Sequence, residues 1–317
     1  MKNLFKFSAL LLFFGMLAMS CEENRDDEMV MGNSIYELAS RDADFSNLKA
    51  AIDKAGLAAT LSTSGSFTVF APGNAAFSAF LAENGYASLN DVPTAALKEI
   101  LLNHVLSTKV MASEVTTGYV STLAKGSASA TKNLSMYINT ASGVKINGMS
   151  NVVKTDISAS NGVIHKVDKV IGLPTIVTHA TANPNFSTLV TALTRPDQPN
   201  FVSILSGTSN SPFTVFAPTN NAFGSLLSEL GLSGLGAIPA LTLENVLKYH
   251  VVAGANVAST DITNNMTVNT FQGGTFKITT NGGVKITDAN NRVSNVIATD
   301  VQCTNGIIHV LDKVLLP

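Results

Sequence analysis

The chain states one pattern twice. FTVFAP begins at Phe67 and again at Phe213, and the pair His104–Val105 returns as His250–Val251, both 146 residues on. A third stretch, NGVIHKVDKVI from Asn161, recurs 144 residues later as NGIIHVLDKVL from Asn305. The same order at near-constant spacing means two copies of one module of about 145 residues, an ordinary size for a single-core domain. Solenoids and propellers repeat on far shorter periods, so the chain is a tandem pair rather than a stacked array. A feature present in both copies is first a requirement of the fold. A feature present in one is a candidate for specialised function.

The first residues stand outside that pattern. Lys2 and Lys6 precede an apolar run, Phe7 to Met19, broken only by Ser8 and Gly15 and followed by Ser20 and Cys21. The run is short for a bilayer span and has the layout of a secretory signal. Its end resembles the lipobox of bacterial lipoproteins, in which the Cys is acylated through its thiol and becomes the mature N-terminus. Ala18 stands where that family usually has Leu, and Met19 where a smaller residue is common. An ordinary signal peptide cleaved nearby is the alternative. Glu22 to Glu28 is polar, acidic and aperiodic, as expected of a disordered tether. Glu22 is not the Asp that retains some lipoproteins in the inner membrane. The acidic cluster resembles the export tag of certain surface lipoproteins, a plain solvated linker being the other reading. The expected division is a leader over 1–20, a tether over 21–32, and modules over 33–172 and 173–317.

Composition narrows the function. Residues 33–172 carry 11 basic and 10 acidic side chains, and 174–317 carry 6 and 7. Neither module has a run of Lys or Arg, which argues against nucleic acid or an anionic membrane surface as partner. The chain has no Trp, the commonest sugar-stacking side chain, a mild count against a dedicated carbohydrate module. Two cysteines do not make a disulfide framework. Cys303 lies in an apolar stretch where the first copy has Ala159, so a small buried thiol is expected.

Within each copy, helical patterns come first. Ile35, Leu38 and Ala39 fall on one face, and Phe45, Leu48, Ala51, Ile52 and Ala55 on another after a break, with Gly56 as the stop. In the second copy NFSTLVTALTRPD does the same until Pro196 closes it. FTVFAP reads as a strand. The following NAAFSAFLAENG and NNAFGSLLSELG read as helices, with Asn74 as N-cap and Gly85 as stop in the first. Further helices carry Leu97, Ile100, Leu101 and His104, and Leu243, Val246, Leu247 and His250. Period-two alternation with turns such as TASG and TNGG then predicts a strand meander. Helices in the first half and strands in the second make an α+β domain. The ordered set FTVFAP-x-N-x-AF, a helix ending in H-V, and NG-[VI]-IH-x-x-DKV-[IL] resembles the fasciclin (FAS1) domain over both modules. That resemblance implies two tandem FAS1 modules, each a two-sheet β-wedge with helices packed alongside. It also implies an extracellular, usually membrane-tethered protein concerned with adhesion to matrix, cells or polysaccharide.

Catalysis needs converging titratable groups, and the histidines are the place to look. His104 and His250 follow the apolar stripe of their helices and read as buried structural residues. His165 and His309 lie in the last strand, with Asp168 and Asp312 three residues on and therefore on the opposite face. They too read as structural. His179 is placed in the linker, exposed. No G-x-S-x-G, HxH, HExxH, CxxC or Walker loop occurs. The pairs Gly273–Gly274 and Gly282–Gly283 read as turns, so no catalytic residue, metal or cofactor is expected. In animal FAS1 proteins a Tyr-His motif at this helix end is linked to integrin binding. Tyr249 and His250 match it, making them a possible adhesion contact beside their core reading. Asn133, Asn185 and Asn265 fit the glycosylation sequon by chance in a chain rich in Asn, Ser and Thr.

The reading is a non-enzymatic adhesion or binding protein, lipid-anchored through Cys21 at a bacterial outer membrane or cell surface. Its partner would be a surface protein, matrix or polysaccharide. The alternative is an accessory glycan- or ligand-capturing lipoprotein attached to an uptake or envelope complex. The second module, with the Tyr249 region and an enlarged 287–294 loop, is expected to carry most of the contact.

Overall fold

The computed structural model describes residues 33–317. The expected leader, the tether and Cys21 lie outside the described residues. The first module runs α1 Ile35–Arg41, α2 Ser46–Lys54, α3 Ala58–Ser62, β1 Phe67–Pro72, α4 Asn74–Glu83 and α5 Thr94–Leu102. It continues with β2 Val105–Leu106, β3 Gly118–Lys125, β4 Asn133–Asn139, β5 Lys145–Ile146, β6 Ser150–Ala159 and β7 Gly162–Val167. The second repeats the order: α6 Ile176–Ala182, α7 Ser187–Leu193, α8 Phe201–Ser206, β8 Phe213–Pro218, α9 Asn220–Glu229 and α10 Ala240–Tyr249. Its strands finish with β9 Val251–Ala253, β10 Met266–Asn269, β11 Thr275–Thr279, β12 Lys285–Thr287, β13 Val293–Cys303 and β14 Gly306–Leu311. The fold is α+β in both copies.

Each module builds seven strands in the order β2-β1-β7-β6-β5-β4-β3, mirrored in the second by β9-β8-β14-β13-β12-β11-β10. The order is continuous because β6 and β13 are long and irregular. Pairing slips near Lys154 and Ala298, and Asp156 and Asp300 take positive φ of 60° and 58°. Such bulges bend a strand, and here the bend makes a wedge. Phe70, Leu106 and Val167 from one half meet Met136, Ile138 and Ile146 from the other in a single apolar cluster. The opposite face of β1, with Val69 and Ala71, packs on the helices against Leu48, Ile52, Leu97 and Leu101. FTVFAP is therefore buried on both sides, as its near-continuous apolar run requires. Full burial of a Phe or Leu side chain contributes about 1.5–3 kcal/mol.

The Asn-Gly of the third repeated motif explains the parallel pairing of β1 with β7. A Cβ on Gly162 would sit 2.1 Å from the Phe67 carbonyl oxygen, and one on Gly306 2.1 Å from that of Phe213. Only glycine fits this approach. Asn161 beside it accepts from Ile35 N at 2.9 Å and donates to Leu61 O at 2.8 Å, joining the start of α1 to the end of α3. Asn305 repeats both bonds with Ile176 N and Leu205 O.

The expected cap of α4 differs. Gly73 holds the cap position, and Asn74 is the first helical residue. The Asn74 side-chain oxygen accepts from Asn47 N at 3.0 Å, so it serves the start of α2 instead. In the second module Thr219 caps α9 through its own side chain, which frees Asn220 for the matching bond to Thr188 N at 2.9 Å.

Candidate functional site

The repeated polar residues are occupied by the fold. His104 sits just past α5 and His250 caps α10. His104 Nδ1 donates to Ile100 O at 2.7 Å, and its Nε2 accepts from Ile171 N at 2.8 Å. His250 does the same with Val246 O and Leu315 N. A ring that donates on one side and accepts on the other is neutral, and burial lowers both histidines to about 4. His165 Nε2 donates to Val110 O at 2.9 Å while Nδ1 accepts from Asp156 N, and His309 repeats this with Val257 O and Asp300 N. The Asp168 carboxylate accepts from the Asn151 backbone and side chain, both at 2.7 Å, and takes no part with His165. Among the described residues no group of three or more His, Cys, Asp or Glu could hold a metal ion.

Two expectations are corrected. Tyr249 is 0 % exposed and His250 4 %. The Tyr249 hydroxyl donates to Thr275 O at 2.6 Å and accepts from Ala289 N at 3.2 Å. Neither side chain is available for an adhesion contact in the folded chain. The helix end that looks surface-like in sequence is roofed by β11 and the turn after β12. The enlarged 287–294 connection does reach the surface at Ala289 and Asn290. Its base is held by buried Asp288, which accepts from Arg292 N at 2.8 Å and Leu316 N at 3.0 Å.

His179 is the second correction. It lies on α6 at 0 % exposure, and the reason is a seam between the modules. Tyr119 on β3 packs against the apolar core of the second module, its ring 5.3 Å from His179 at 79° and 4.9 Å from Tyr137. Asn183 Nδ2 donates to the Tyr119 hydroxyl at 3.2 Å. Gln302 N donates to Ser135 Oγ at 3.0 Å. Ala128 N and Ser127 Oγ both donate to Thr304 O, at 2.9 and 2.8 Å. A Cβ on Gly126 would meet Thr304 Cα at 2.5 Å, so the backbones approach as closely there as glycine allows. The His179 ring lies against the Ser135 backbone, yet neither nitrogen finds a hydrogen-bond partner. Burial lowers it to about 4. Burial also raises the Tyr119 phenol and the Cys303 thiol well above their ordinary values.

The two copies differ at this seam in charge. Register places Tyr119 opposite Tyr137, and at the same step in the second module Thr267 opposite Lys277. Counting from the shared N-caps Ser34 and Thr175, Ala182 and Asn183 answer to Arg41 and Asp42. The docked faces are uncharged and aromatic where their counterparts are charged and solvated. Sequence reading missed Tyr119, Tyr137 and His179. The available signal was this difference between copies rather than any motif. Replacing Tyr119 by Thr, the second module's residue, should destabilise the pair by about 2 kcal/mol through the cavity left at the seam. Calorimetry should then show the second module melting earlier, and an unchanged profile would contradict the packing role.

The Fasciclin domain family model matches residues 43–174 and 184–317. The chain belongs to the fasciclin domain family. An uncharacterized protein of Synechocystis sp. is 39 % identical over 144 residues, which are 45 % of this chain and 98 % of that protein. Transforming growth factor-beta-induced protein ig-h3 of Oryctolagus cuniculus is 28 % identical over 262 residues, 80 % of this chain and 35 % of that much longer protein. A solved FAS1 domain pair from the insect cell adhesion molecule Fasciclin I shares 21 % identity at a TM-score of 0.49, covering 84 % of this chain and 92 % of that one.

Proposed function

We propose that this fasciclin protein is a non-enzymatic adhesion protein, held by a lipid on Cys21 at a bacterial outer membrane or cell surface. The observation that carries the reading is that the Fasciclin domain model matches residues 43–174 and 184–317, behind a leader-like run ending in Cys21. The four paired histidines serve the fold: each spends both ring nitrogens on backbone groups. Contact with a surface protein, matrix or polysaccharide is spread over weak patches, and many copies at a surface multiply them into avidity. The exposed turn above Asp288 is the second module's candidate patch; Tyr249 is not.

The Cys21→Ser variant tests the anchor. It should leave the membrane fraction and appear in the soluble fraction, and unchanged membrane association would sink the lipoprotein reading.

A further inference from the structure

His179 stands where the two copies part company. Counting from Ser34 and Thr175, its counterpart in the first module is Leu38, which packs on that module's helical core. The fold therefore asks only for an apolar residue there. The histidine in its place is buried with neither ring nitrogen paired. A neutral ring still carries one N–H, and a buried donor without an acceptor lowers stability. Leucine would serve the packing better.

What covers the ring is the other module. Tyr119 from β3 meets it edge-on at 5.3 Å, and the Ser135 backbone of β4 lies against it. On its own side, α7, α8, β14 and the turn Pro184–Phe186 pack against α6. None of these elements, nor α6 or β4, contains Asp, Glu, Lys or Arg. The titratable groups that they, β3 and β13 present are the Tyr119 and Tyr137 phenols, the Cys303 thiol and His309. Burial keeps both phenols and the thiol protonated. The His309 ring is bonded to Val257 O and Asp300 N. Lys125 closes β3 at the exposed surface, and the Asp300 carboxylate on β13 is taken by Ser259. A proton on His179 thus meets no counter-charge while the modules are docked, and water once they part. The other four histidines bond within their own modules. Their protonation strains a module, not the seam.

We propose that the seam is an acid-operated hinge: a proton on His179 parts the two modules while each stays folded. The chain remains joined through residues 168–175, between β7 and α6. Parting bares Tyr119 and the side of α6 that carries His179, an uncharged surface that the docked pair hides. Docked, the ring is held by burial at about 4 against an ordinary 6.5. The undocked form therefore takes up the proton first, so closure is complete above pH 6.5 and weakens towards pH 4. With those two values the opening constant rises about 30-fold between pH 7.5 and pH 5.

Residues 33–317 lie within one compact unit and are the sample for amide hydrogen exchange followed by NMR. Gln302 N–H, bonded to Ser135 Oγ, and Ala128 N–H, bonded to Thr304 O, report on the seam. Phe70 N–H and Phe216 N–H, bonded to His104 O and His250 O, report on the module interiors. From pH 7.5 to pH 5 the seam protection factors should fall about 30-fold. At pH 5 they should lie about tenfold or more below the interior ones, the mark of an opening that leaves the modules folded. His179→Leu, which installs the first module's residue, should abolish most of the fall at the seam and leave the interior amides as they were. Tyr119→Thr is the second variant, whose seam amides should already be unprotected at pH 7.5 and lose nothing further at pH 5. Seam and interior amides exchanging together at every pH would overturn the proposal, and so would seam protection that is unchanged at pH 5. An undiminished fall in His179→Leu, or full seam protection in Tyr119→Thr, would overturn it as well.

Discussion

His104→Ala should cost the first module about 3–4 kcal/mol, and His250→Ala the second a similar amount. Each substitution removes a buried ring and strands two backbone groups, the carbonyl of Ile100 and the N–H of Ile171 in one case, those of Val246 and Leu315 in the other. Unpaired buried groups cost about 1–3 kcal/mol each, and the vacated volume adds to that. Denaturant titration of each variant checks the figure. A variant that keeps its full midpoint but loses adhesion would mean that the ring acts at a surface, against the burial described above.

Acidification should unfold the protein over a window set by three histidines. His104, His179 and His250 are held neutral by burial at about 4, against an ordinary value of 6.5. The unfolded chain therefore takes up protons first as pH falls, so this stabilisation is complete above pH 6.5 and is lost towards pH 4. Each histidine is worth up to about 3 kcal/mol across that window, comparable in sum with the whole stability of a typical domain. His309 is lowered as well, again by burial. Midpoints measured from pH 7 to pH 4 should fall steeply below pH 6, and His179→Phe should flatten part of the slope. A flat profile down to pH 4 would contradict the buried neutral rings.

Repetition made most of the architecture legible. Strand β1, helix α5 and the last strand of each copy could be placed because a pattern seen twice separates fold requirements from incidental residues. The α+β order follows from periodicity changing within each module. The seam could not be placed that way. Tyr119 and Tyr137 alternate like any half-buried strand residues, and nothing local says that their outer face meets another module rather than water. His179 failed for the same reason: its segment reads as linker, and it is Tyr119 from β3 and the Ser135 backbone of β4 that cover it. Tyr249 misled through its motif. Its counterpart Asn103 is also 0 % exposed, donating to Gly172 O at 3.0 Å, so the position is internal in both copies whatever residue fills it.

Adhesion of intact cells tests the central claim most directly. Cells lacking the protein would be complemented with the full chain or with Cys21→Ser at equal total amounts, and their attachment to a matrix-coated surface and to one another counted. Anchored adhesion predicts that the full chain restores attachment and the released variant does not. Full attachment with Cys21→Ser, or attachment indifferent to the protein altogether, would contradict it.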